Sequence, residues 1–141
     1  MNELEKVIKE FGKEIVIEAR DYTLSNLERL FEGKSRGNDN VLFEKIKCLP
    51  PDVLCTIEQL IVDYIDEAIH DLFLKFNESL GKYKIITENE KGKFTNLTEE
   101  SEEGLNYEYF NFIDSFSKYN SAYNFNEEIQ NSWKLSKNSE N

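Results

Sequence analysis

The apolar positions of the N-terminal part of the chain recur at helical spacing. Leu4, Val7, Ile8, Phe11, Ile15, Ala19, Tyr22, Leu27, Leu30 and Phe31 follow the i, i+3, i+4, i+7 pattern of one buried face, which predicts a helix over 3–32. Gly12 lies inside this run and weakens it by about 1 kcal/mol relative to Ala. Ser25-Asn26-Leu27-Glu28 has the form of a capping box, so a break into two helices is expected near Thr23. Gly33 to Asn40 reads as a loop by composition. Val41, Leu42, Phe43, Ile46 and Leu49 then predict a short helix over 41–49, ended by Pro50-Pro51. A second long helix is expected over 52–79, with Leu54, Ile57, Ile61, Tyr64, Ile65, Ala68, Leu72 and Phe76 as its apolar stripe and Gly81 as its stop.

The pattern changes after Gly81. Lys82 to Thr87 is β-branched and aromatic and reads as a strand, and Phe94 to Leu97 reads as its return after a turn at Glu90-Lys91-Gly92-Lys93. Thr98 to Gly104 is an acidic loop. Residues 105–119 fit a helix through Leu105, Tyr109, Phe112, Ile113 and Phe116, although Tyr107-Glu108-Tyr109 also fits a short strand; the length of the run favours helix. Asn126 is a candidate cap for a last short helix ending near Leu135, with a frayed tail after it. The fold class is therefore mainly α with a small β element. Two long antiparallel amphipathic helices are expected with a short helix between them, a β-hairpin and a C-terminal helical segment. A purely helical bundle is the alternative. The expected domain covers 1–135, with 136–141 as tail.

Charge narrows the function. The chain of 141 residues has 17 Lys and Arg against 28 Asp and Glu, a formal net charge of −11. Such a chain repels phosphates, so neither nucleic acid nor an anionic membrane is an expected partner. No apolar run is long enough for a transmembrane helix, and the acidic N-terminus is not followed by the apolar core of a signal peptide, so a cytoplasmic location is expected. The two cysteines, Cys48 and Cys55, are expected to be reduced and to pack as small apolar residues.

Three features carry candidate chemistry. Asp63, Asp66, Glu67 and His70 share one helix face, placed opposite the apolar stripe. Glu67-Ala68-Ile69-His70 matches the Glu-x-x-His element of di-iron bundles, but one His per chain allows such a site only across two subunits. The plain reading is a solvated acidic face; no metal or other cofactor is expected. His70-Asp71 invites a catalytic reading, but neighbours on a helix point about 100° apart, which places Asp71 poorly for orienting His70. No nucleophile elbow or phosphate loop is present. Finally, nine of the 18 aromatic residues lie between Tyr107 and Trp133. Phe110, Phe112 and Phe116 are expected in the core. Tyr107, Tyr119, Tyr123 and Trp133 have polar neighbours and are expected as exposed anchors for a partner.

The segments Ile69-His70-Asp71-Leu72-Phe73-Leu74-Lys75-Phe76 and Phe112-Ile113-Asp114-Ser115-Phe116-Ser117-Lys118-Tyr119 resemble those of small bacterial proteins of similar length. In its size, acidity, aromatic content and lack of catalytic motifs the chain also resembles immunity proteins of bacterial toxin systems. That resemblance implies inhibition of a toxin and transfers no residue. The expected function is protein binding, with a basic toxin as partner and Asp63, Asp66, Glu67, His70, Tyr107, Tyr119, Tyr123 and Trp133 as contact residues. A self-associating adaptor or structural protein is the alternative. A metal-dependent enzyme using Glu67 and His70 across a dimer is the second.

Overall fold

Asn2 opens the first helix. Its side chain accepts from the Glu5 amide at 2.8 Å while Glu5 accepts from the Asn2 amide at 3.1 Å, a complete capping box that satisfies two otherwise orphaned groups. The computed structural model describes residues 1–122 and 132–137. Their elements are α1 (Glu3–Glu14), a π-helical segment (Ile15–Asp21), α2 (Tyr22–Phe31), α3 (Asn38–Phe43), α4 (Pro51–Glu78), the strands β1 (Ile86–Glu88) and β2 (Phe94–Asn96), α5 (Leu97–Glu100) and α6 (Leu105–Phe116). The fold is mainly helical with one small antiparallel hairpin, in which Thr87 pairs with Thr95. Among the described residues no helix is long and apolar enough to cross a membrane.

The first long helix does not break near Thr23. Ser25 donates to the Tyr22 carbonyl at 2.7 Å and caps nothing. The backbone instead widens into the π segment, and this moves the buried face. Gly12, Val16, Arg20 and Leu24 are all buried, at successive spacings of four residues. An ideal α-helix would rotate each such step about 40° past the last. The wider turn holds them on one side, and the expected core residues Ala19 and Tyr22 face solvent. Gly12 is required because the Phe112 ring occupies the place of its missing Cβ.

Phe11 meets Phe73 with ring centroids 6.1 Å apart, Arg20 bonds Asp66, and Leu24 and Leu27 pack with Val62. The first long helical run and α4 are therefore antiparallel. α4 packs most extensively on α6. Two apolar clusters result among the described residues. One contains Val16, Phe73, Leu97, Leu105, Tyr109, Phe112 and Ile113; the other contains Leu24, Leu27, Val62, Tyr119, Trp133 and Leu135.

Several boundaries shift. The short helix is Asn38–Phe43, and turns fill the rest of the expected 41–49. The first strand starts at Ile86 rather than Lys82, and the first part of the acidic loop forms α5, capped by Asn96. The expected C-terminal helix lies partly outside the described residues, as do its cap Asn126 and the expected anchor Tyr123. Its described end, 132–135, is not helical. Ser136 pairs as an antiparallel bridge with Tyr119, and the Lys137 amide donates to the Lys118 carbonyl at 2.9 Å. Cys48 is exposed rather than packed, and Cys55 is half-buried.

Candidate functional site

Between the two apolar clusters lies a buried polar network that the hydrophobic pattern did not show. Arg20 is fully buried, and its guanidinium grips Asp66 with two bonds, Nε to Oδ1 at 2.6 Å and Nη2 to Oδ2 at 3.0 Å. The Tyr109 hydroxyl donates to the same carboxylate at 2.7 Å. Arg20 also donates to Ser117 Oγ at 2.7 Å and to the Asn120 carbonyl at 3.1 Å, and Ser117 donates to Asp21 at 2.5 Å. Burial works against the guanidinium charge, but the hydrogen bond and charge of Asp66 outweigh it and raise the Arg20 pKa. Burial and Asp66 together push the Tyr109 phenol well above its ordinary range. The sequence signal for this network was the four-residue spacing Val16, Arg20, Leu24, which places a cation within an apolar face.

Asp66 is thus a structural residue facing the core, and the acidic side of α4 does not lie opposite its buried stripe. It forms one wall of a cleft of about 600 Å³ between α4 and α6. Asp63, Glu67, His70 and Asp71 come from α4 at helical spacing, and Asn106, Tyr107, Phe110 and Asp114 come from one face of α6. Ser121 and Ala122 also line it. No Lys or Arg contributes to the lining among the described residues. Asp63 and Glu67 have no hydrogen-bond or ion-pair partner there either.

His70 is part of the cleft lining. Its Nδ1 lies 3.1 Å from Asp71 Oδ1, and its ring is 5.8 Å from that of Phe110. Asp71, expected to be poorly placed for orienting His70, lies within hydrogen-bond distance of it. The short carboxylate reaches back around the helix surface, and when Nδ1 carries a proton the ring donates to it. This dyad has an orienting carboxylate but no hydrogen-bonded nucleophile among the described residues. No three His, Cys, Asp or Glu side chains there converge to hold a metal ion.

The predicted contact residues divide. Asp63, Glu67, His70 and Tyr107 come together at the cleft with Asp66 behind them, and Tyr107 is 65% exposed. Tyr119 and Trp133 do not join them. They are buried at 2% and 6% exposure in the second apolar cluster, with Trp133 Nε1 donating to the Ser121 carbonyl at 2.9 Å. Their polar neighbours misled because the chain folds back there, through the Tyr119–Ser136 bridge, and places both rings in one apolar cluster with Val62 and Leu24. Asn106, Phe110 and Asp114 were missed as cleft residues, although their spacing of four places them on Tyr107's side of α6.

Electrostatically, the cleft concentrates negative potential beside Tyr107 and Phe110. Negative potential of this kind attracts cations. No protein-family model, curated protein or solved structure matches the chain.

Proposed function

We propose that this chain is a cytoplasmic protein-binding protein, an immunity-like inhibitor whose α4–α6 cleft receives basic side chains of a protein partner. The observation that carries the reading is the pair of unpartnered carboxylates, Asp63 and Glu67, in a cleft lined without Lys or Arg among the described residues. A basic partner, such as a nuclease toxin whose own site binds phosphate, presents the complementary charge. Long-range attraction then speeds encounter, and Tyr107 supplies contact area at the cleft mouth.

The test is capture from native lysate, at low and high salt, with the wild-type chain and with Asp63→Asn/Glu67→Gln. The expected result is one basic protein, held by the wild type at low salt, reduced at high salt and lost with the variant. Its toxicity should fall when the wild-type chain is added. Equal capture by the variant, or recovery of the chain alone, would sink the reading.

A further inference from the structure

α4 is apolar on two opposite sides. Val62, Asp66 and Phe73 face inward, whereas Leu60, Tyr64 and Leu72 are more than half exposed, at 51%, 67% and 56%. Val53 and Ala68 are exposed as well. At 100° per residue these five positions fall within a sector about 120° wide, centred opposite Asp66, and they run about 28 Å along the helix. Three of them, Tyr64, Ala68 and Leu72, belong to the stripe that the sequence pattern assigned to the core. A helix apolar on both sides is the pattern of one covered on both sides, and a continuous exposed apolar row marks a contact surface.

The charge around this row selects its occupant. α4 has seven Asp and Glu residues and one lysine, Lys75, which is already paired with Glu78 at 3.5 Å. Asp71 lies within the apolar sector and Glu67 beside it, and both also line the cleft. A second copy laid against this face would bring two such helices together in molecules each of net charge −11. A basic partner meets no such repulsion. The shape is also informative. Leu60, Tyr64, Ala68 and Leu72 form one i±4 ridge, the unit that packs into the groove of another helix. Ala68 leaves a notch between two large side chains where a partner's residue can seat.

We propose that the outer face of α4 docks an amphipathic, basic α-helix of the protein partner. Its apolar side lies along Leu60, Tyr64, Ala68 and Leu72, and its Lys or Arg residues meet Glu67 and Asp71 at the lip of the cleft. This rests on the reading of the chain as a binder of a basic protein and adds the form of the element that is bound.

The experiment titrates the full chain into a fluorescently labelled helical peptide of leucine and lysine in amphipathic order. The controls are the same peptide with glutamate for lysine and a scrambled version without an apolar face. The lysine peptide should bind one to one and weaken with salt, and the two controls should not bind. Leu60→Gln/Leu72→Gln, at solvent-facing positions, should lose about tenfold in affinity with an unchanged circular dichroism spectrum. Undiminished binding by that variant overturns the proposal, as does equal binding of the glutamate peptide. Sedimentation showing a dimer that Leu60→Gln/Leu72→Gln dissolves would assign the face to a second copy and also overturn it. The two readings separate on the native partner. If Leu60→Gln/Leu72→Gln still captures it while Asp63→Asn/Glu67→Gln does not, the cleft reading stands and the docked helix falls.

Discussion

Arg20 gives up all of its water on folding, and its energetics follow from how completely that water is replaced. Asp66 takes two of its N–H groups, and Ser117 and the Asn120 carbonyl take others. Such a pair is weak evidence for net stability, because desolvating both charges offsets much of their attraction. Removing one partner is different, since the other then remains buried and uncompensated. Asp66→Leu alone should lower unfolding stability by about 3–5 kcal/mol, whereas Arg20→Met/Asp66→Leu should recover most of that loss. Denaturant midpoints of the two variants check this; equal losses would show that the pair does not act as a unit. The network's other consequence is register. It joins the π segment, α4 and the chain after α6 through groups that fit only one alignment.

At the scale of elements, the sequence was informative about extent and poor about facing. Pro50-Pro51 and Gly81 bracket α4 closely, because proline and glycine act locally on the backbone. Its buried side was assigned only in part: Ile61 and Ile65 pack against the core but Tyr64, Ala68 and Leu72 are exposed, because Leu and Ile occur all round the helix and a buried Asp66 looks like a surface acid until Arg20 is found opposite. The cleft was legible as four α4 residues and Tyr107, but not as a cleft, since its second wall depends on how α6 packs. Glu58 shows the same dependence. Burial, with a smaller contribution from the charge of Glu28 on α2, raises its pKa from 4.5 to about 7. A carboxyl raised in the fold binds its proton more tightly folded than unfolded. Its contribution to stability is therefore full below pH 4.5 and lost as pH rises through about 7. Glu58→Gln should be more stable than wild type above pH 7 by about 1 kcal/mol, after allowing for solvent screening of a half-buried group, and the gap should close in acid. Thermal melts across that range test it, and a gap independent of pH would rule out the titration of Glu58 as its cause.

Across the whole molecule, the two apolar clusters divide the fold into ends of different construction. Among the described residues, the apolar cluster of Val16, Phe73, Phe112 and Ile113 draws its side chains from α1, the π segment, α4, α5 and α6 and takes none from the C-terminal residues, although Lys137 Nζ donates to the Ile113 carbonyl at 2.9 Å. The other end needs them: Trp133 and Leu135 cover Leu24, Leu27 and Val62, and the Asn120 amide donates to the Leu135 carbonyl at 2.7 Å. The segment 132–137 thus acts as a clasp over one end. Trp133→Ala removes a large buried ring and should cost about 3–5 kcal/mol. Because only one cluster loses contacts, the loss should be uneven. Amide hydrogen exchange at Leu24, Leu27 and Val62 should accelerate through local opening before that at Val16 and Ile113 does. The Arg20 network between the clusters is the boundary at which opening should stop, since crossing it would leave a buried charge without its partner. Uniform acceleration along α4 and the first long helical run would instead make the two clusters one cooperative unit, with the network transmitting the loss rather than confining it.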